Sequence, residues 1–201
     1  MNPRHIFSPA LRAAFALPLA LSVATLARGA EVAYELDPTH TFPSFEADHL
    51  GGLSVWRGKF NSSRGTVTLD REAGEGRLEV VVDTASVDFG LDAMDEHARG
   101  DALLDTARWP QARYVGRLVD FVDGRPTRVD GELTLRGVTR PLALEVRSFK
   151  CMPHPMHRRE LCGADALARF QRDDFGIDAG KDYGFDMTVT LRIQVEAVAR
   201  E

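Results

Sequence analysis

The sequence predicts a mainly β fold, an antiparallel barrel of about eight strands with a short helical insert around residues 87–105. Three observations carry that reading. First, Phe185, Met187, Val189, Leu191, Ile193 and Val195 alternate with Asp186, Thr188, Thr190, Arg192, Gln194 and Glu196. That is the period of a strand with one dry face and one wet face. Second, shorter alternations recur at Val67 and Leu69, at Leu78, Val80 and Val82, at Leu133 and Leu135, and at Leu142, Leu144 and Val146. Between them sit turn signals, namely the Glu72 to Gly76 stretch, Asp123-Gly124, Asp130-Gly131 and Arg136-Gly137, which describe a meander of hairpins. Third, one stretch changes period: Val87, Leu91, Met94, Ala98 and Ala102 fall at helical spacing. A closed barrel is expected over a sandwich, because closure removes exposed edges and leaves room for one ligand.

The elements follow in order from the N-terminus. Residues 1–30 read as a secretory signal peptide, with Arg4 and Arg12 ahead of an apolar run from Ala13 to Ala27. Small residues then permit cleavage after Gly29 or Ala30. The run is too short, and too interrupted by Pro18, for a spanning helix of about 20 apolar residues. The rest, 31–201, is expected to be one domain in the periplasm. In the helical insert, Asp92, Asp95 and Glu96 crowd the start, where the helix dipole favours acids, and Gly100 interrupts it. Trp109-Pro110 leads into the next strand at Tyr114 and Val115.

Charge and motifs exclude several functions. Loss of residues 1–30 removes three arginines and no acid, so the net charge falls from −5 to −8 over 171 residues. That acidity argues against a nucleic-acid partner. Gly-x-Ser-x-Gly, His-Glu-x-x-His, phosphate-binding and dinucleotide-binding motifs are absent, so an enzyme is not expected. Cys151 and Cys162 lie between strand-like segments, and in an oxidising compartment they read as a structural disulfide. The enclosed Met152, His154, Met156 and His157 offer thioether and imidazole groups suited to copper, but Pro153 and Pro155 stiffen the segment. A metal-responsive or redox accessory role through residues 152–157 is therefore the alternative function, and an exposed loop without metal the expectation.

His97, Arg99 and Asp101 form the sharpest polar group. They read either as a polar mouth for a ligand head group or as a network pinning the insert to the barrel. His40 and His49 read as core or rim histidines. The many phenylalanines serve a filled core or a ligand channel equally well.

Tyr34-Glu35-Leu36-Asp37-Pro38-Thr39-His40-Thr41, followed by Phe45, His49 and Gly58-Lys59-Phe60, resembles the opening of the YceI family. Asp95-Glu96-His97-Ala98-Arg99-Gly100-Asp101 with Asp105 and Trp109-Pro110 resembles its helical segment. Gly137-Val138-Thr139-Arg140-Pro141 and Arg172-Asp173-Asp174-Phe175-Gly176-Ile177 resemble two later motifs, in the family's order. The chain departs from the pattern at Ala98, Gly100, Leu103 and Leu104, positions that bear on channel width. The resemblance implies a lipocalin-like barrel in the periplasm that carries a polyisoprenoid or other long-chain lipid without catalysis or cofactor. It implies a ligand site drawn from Phe42, Phe45, Phe60, Phe89, His97, Arg99, Asp101, Leu104, Trp109, Tyr114, Phe121, Phe175, Phe185 and Met187. It further implies that the Cys151–Cys162 loop marks a subset of the family. The partners expected are the lipid itself and a transient membrane contact, with the protein a monomer or homodimer.

Overall fold

In the computed structural model, residues 30–156 and 158–201 are described; the signal-peptide segment and His157 lie outside them. The strands are β1 (Val32–Leu36), β2 (Phe42–His49), β3 (Ser54–Phe60), β4 (Ser63–Asp70), β5 (Glu75–Asp83) and β6 (Val87–Asp88). After α1 (Asp92–Arg99) come β7 (Gln111–Val122), β8 (Arg125–Leu135), β9 (Val138–Pro141), β10 (Leu144–Pro153), β11 (Glu160–Gln171) and β12 (Thr188–Ala199).

Eight of these strands close into an antiparallel ring, β1-β4-β5-β7-β8-β10-β11-β12, sealed where Tyr34 to Leu36 pair with Ala197 to Ala199. β12 has two partners on that edge. Its C-terminal end takes β1, and Val189 to Gln194 take β2, which continues through β3 to β6 as a flap. The split falls at Asp37-Pro38-Thr39-His40, where proline cannot donate to a ladder and Asp37 accepts from the Thr39 amide at 2.8 Å.

Alternation places the odd-numbered residues Val189 to Ala197 of β12 inside the barrel. On β10 the parity changes, because the register shifts between Val146 and Ser148, so Phe149 as well as Val146 reaches the interior. The core divides in two: a large cluster along the ring, and a small one of Leu135, Phe175 and Ile177 where the end of β8 meets the segment after β11.

Four expectations are revised. The helix runs only from Asp92 to Arg99, because Val87 and Asp88 pair with Phe60 and Lys59 and strand pairing overrides their helical spacing. Asp130-Gly131 is not a turn but lies inside β8, opposite Gly116 and Arg117. β12 begins at Thr188 and not at Phe185, since the preceding residues leave a loop of short 3-10 turns. β11, with inward alanines in place of branched side chains, is a full strand that the alternation did not announce.

Cys151 and Cys162 are bonded and sit directly opposite each other on β10 and β11, not in the loop between strands. Cys151→Ser is expected to leave the barrel folded and to cost about 3 kcal/mol, the loop-closure value for this spacing. Thermal melts should show the drop. In the wild type, alkylation should label neither sulfur until a reductant is added, and free thiols in freshly purified oxidised protein would contradict the staple.

Candidate functional site

The ring encloses a cavity of about 610 Å³ that runs from α1 at one end to the disulfide at the other. That volume is in the range of pockets that swallow a drug-sized molecule. Its wall is almost wholly apolar: Leu69, Leu78, Val80, Leu133, Leu144, Leu191 and Ile193 illustrate it. Leu78, Val80, Leu191 and Ile193 point inward yet stay half-exposed. A close-packed core would bury them nearly completely.

One end is shut. Tyr34, 1% exposed, donates its hydroxyl to Glu160 Oε1, and Arg71 Nη2 donates to both Glu160 oxygens at 3.2 and 2.9 Å. Burial first, then Glu160, pushes the Tyr34 phenol well above its ordinary pKa, so it stays a neutral donor. These bonds tie β1, the turn after β4 and the start of β11 together, and Cys162 faces the cavity beside them.

The other end is the mouth, and the insert builds it. α1 is pinned to the segment before it: Arg99 Nε donates to the Ala85 carbonyl at 2.8 Å and Nη2 to Val87 at 3.3 Å. The buried Asp95 accepts from the Phe89 amide at 2.7 Å. The β2–β3 turn packs on the loop before β12, with Asp48 accepting from the amides of Gly51, Gly52 and Asp186 at 3.0, 2.6 and 2.9 Å. Aromatic rings line the throat. Phe45 stands 5.5 Å from Phe60 and 5.3 Å from Phe89, and His49 lies between Trp56 and Phe185.

Arg172 also faces the mouth. It is 8% exposed, and its Nη1 and Nη2 donate to the carbonyls of Ile177 and Ala179 at 3.3 and 2.6 Å. Burial draws its pKa down, while the charges of Asp173, Asp178 and Asp48 work the other way.

Of the side chains singled out in the sequence, Phe45, Phe60, Phe89, His97, Leu104, Tyr114 and Phe185 line the cavity. The others are placed elsewhere. Phe42 lies under the Lys59 ammonium at 4.9 Å. Arg99 faces the backbone that it pins, and Asp101 is exposed in the turn after α1. Trp109 covers Gly137 of the β8–β9 turn, where an added Cβ would come within 2.5 Å of the indole. Phe121 packs in the main core beside Gly74. Phe175 packs in the small cluster edge-on to Phe170, and Met187 is buried ahead of β12. These four are apolar, Phe175 and Met187 buried and Trp109 and Phe121 half-buried, and they do not line the cavity.

Sequence reasoning missed Trp56, Leu103, Arg172 and the alanines of β11. Ala164 and Ala166 were a readable signal, since inward side chains one carbon long leave volume that leucine would fill.

The Met/His loop brings no ligand set together among the described residues. His154 Nδ1 accepts from the Met156 amide at 3.1 Å, and Met156 is 82% exposed. Carboxylate, imidazole or sulfur atoms converge instead at Asp37, His40 and Glu196, and at Glu160 beside the disulfide, whose sulfurs are already bonded to each other. Burial opposes charge on Asp37, but hydrogen bonds from Thr39 and His40 outweigh it and hold the carboxyl at about 2.

The sequence model of the YceI-like domain matches residues 34–197. A YceI protein of Escherichia coli O6:H1 is 33% identical over 172 residues, covering 84% of this chain and 87% of that one. A UPF0312 protein of Vibrio parahaemolyticus is 28% identical over 199 residues, 98% and 99% of the two chains. Among solved structures, Burkholderia cenocepacia BcnA superposes with a TM-score of 0.64 at 19% identity, over 80% of this chain and 98% of that chain. A polyisoprenoid-binding domain from Saccharophagus degradans gives 0.60 at 23% identity, over 84% and 99%. Both share the barrel. With the family match spanning nearly the whole described barrel, the chain belongs to the YceI-like domain family.

Proposed function

We propose that the protein is a periplasmic carrier that holds a polyisoprenoid or another long-chain amphiphilic lipid in its barrel and performs no catalysis on it. The observation behind this reading is the cavity, apolar along its length from α1 to the disulfide. Each buried methylene contributes about 0.8 kcal/mol, so a long chain gains affinity there with few polar contacts. The relative from Saccharophagus degradans, described as polyisoprenoid-binding, supports the same ligand class.

Exchange of such a ligand calls for a transient membrane contact, and the rim around the mouth is suited to it. Leu53 is 73% and Tyr183 80% exposed, on the two loops that meet at Gly51 and Gly184. Organic extraction of the exported protein followed by mass spectrometry is expected to release one long-chain lipid class in near-equimolar amount. Protein refolded free of lipid should recover that lipid from vesicles. Folded protein that yields no lipid and takes none from vesicles would overturn the reading.

A further inference from the structure

We infer that Arg172 anchors the head of the ligand, and that the amphiphile this barrel selects therefore carries an anionic head, a carboxylate or a phosphate. The inference rests on the lipid-carrier reading and narrows its ligand class.

Arg172 is the buried cation of the cavity wall, set at the mouth in a lining that is otherwise apolar apart from a few hydroxyls, the imidazoles of His49 and His97, and Asp48. A guanidinium out of water is costly, and an opposite charge offsets that cost only in good geometry with the remaining N–H groups hydrogen-bonded. Among the described residues, the side-chain hydrogen bonds of Arg172 go to two neutral carbonyls, Ile177 and Ala179. None of the three carboxylates whose charge reaches Arg172, namely Asp173, Asp178 and Asp48, forms an ion pair with it among the described residues, and two of them are engaged elsewhere. Asp173 accepts from Lys181 Nζ at 2.7 Å, and Asp48 is used by three backbone amides. Two carbonyls use part of a guanidinium that has five N–H donors, and the rest form a planar fork matched to a carboxylate or phosphate.

The position suits that role. Arg172 follows directly on β11, whose inward residues run back to Cys162 at the shut end. A head bound at Arg172 would leave its chain pointing down the apolar bore. The two carbonyls also fix the fork, so little side-chain entropy remains to be lost when an anion binds. The protein as a whole repels anions, with net charge −8 after loss of residues 1–30. A preference for an anionic head must therefore come from a local cation.

The test uses two matched ligand pairs, oleate with oleamide and geranylgeranyl diphosphate with geranylgeraniol. Binding is followed by quenching of Trp56, which lines the cavity. The titrations are run at pH 8 in about 0.15 M salt, which screens the protein's net charge. The wild type should bind at least one anionic member about tenfold or more above its neutral partner, the factor that a charge-assisted hydrogen bond supplies. Which pair shows the gap separates a fatty-acid source from a prenyl-phosphate source. Arg172→Gln should lower affinity for the anionic member about tenfold and so close the gap. In the wild type, the Arg172 Nε–H resonance should shift with the anionic member alone, a readout that stands even if the variant fails to fold. Equal affinity within both pairs, or no shift at Arg172, overturns the inference and leaves the carrier reading intact. Failure of all four ligands to bind overturns both.

Discussion

Leu191→Trp is expected to leave the protein folded and to strip it of lipid. Leu191 sits in the middle of β12, opposite Phe45 on one side and Ala168 on the other, with its side chain toward the cavity. An indole forced into a filled core costs about 1–3 kcal/mol, through shifted rotamers and backbone. Here the ring has about 610 Å³ of bore to enter, so the melting temperature should barely move while the space for a lipid chain is lost. Gln194→Trp is the matched control, because the same strand turns that residue to solvent. Lipid extracted per mole of protein should fall several-fold in Leu191→Trp and match the wild type in Gln194→Trp. Equal lipid in both, with both folded, would show that no ligand occupies this bore.

That design depends on which parts of the barrel can be read from the residues. β12 is legible because its inward side are valine, leucine and isoleucine and its outward side are threonine, arginine and glutamine. β11 is not, since alanine is a poor strand former and alternation between alanine and glycine, aspartate or arginine carries little contrast. The cavity is hidden for the same reason: it exists where inward side chains are small, and an alanine is silent about what faces it. Aromatic composition is equally blind. Phe45 lines the throat and Phe175 packs in the small cluster at the end of β8, yet both satisfy the same hydrophobic demand. Arg172 is visible as part of a motif, but its role at the mouth depends on the loop that folds back to present the Ile177 and Ala179 carbonyls, which no spacing encodes. Arg99 is the opposite case. A network that pins the insert was one of its two readings, and its bonds to Ala85 and Val87 do that.

Gly131→Ala is expected to be strongly destabilising, and its cause is the second use of glycine. Asp123-Gly124 and Arg136-Gly137 are turns, with every one of those residues at positive φ. Asp130-Gly131 has the same appearance but lies mid-strand, where Gly131 pairs with Gly116 and the two leave a bay across β7 and β8. Tyr114 lies in it. A Cβ on Gly131 would stand 2.4 Å from the Tyr114 hydroxyl, 2.5 Å from its Cζ and 2.6 Å from the Val115 carbonyl. The ring cannot simply withdraw, because the hydroxyl donates to the Leu142 carbonyl at 2.8 Å and burial keeps the phenol neutral, well above its usual pKa. Displacing it adds overpacking to the loss of a buried hydrogen bond, together about 2–5 kcal/mol. For a domain of this size that is a fall of roughly 5–15 °C in melting temperature. Tyr114→Leu removes the ring that the methyl strikes, so the double variant Gly131→Ala/Tyr114→Leu should be more stable than the two single losses added together, by about 1–3 kcal/mol. Additive losses in chemical denaturation would mean that the methyl is resisted by the Val115 backbone alone, and that the bay is not built for the tyrosine.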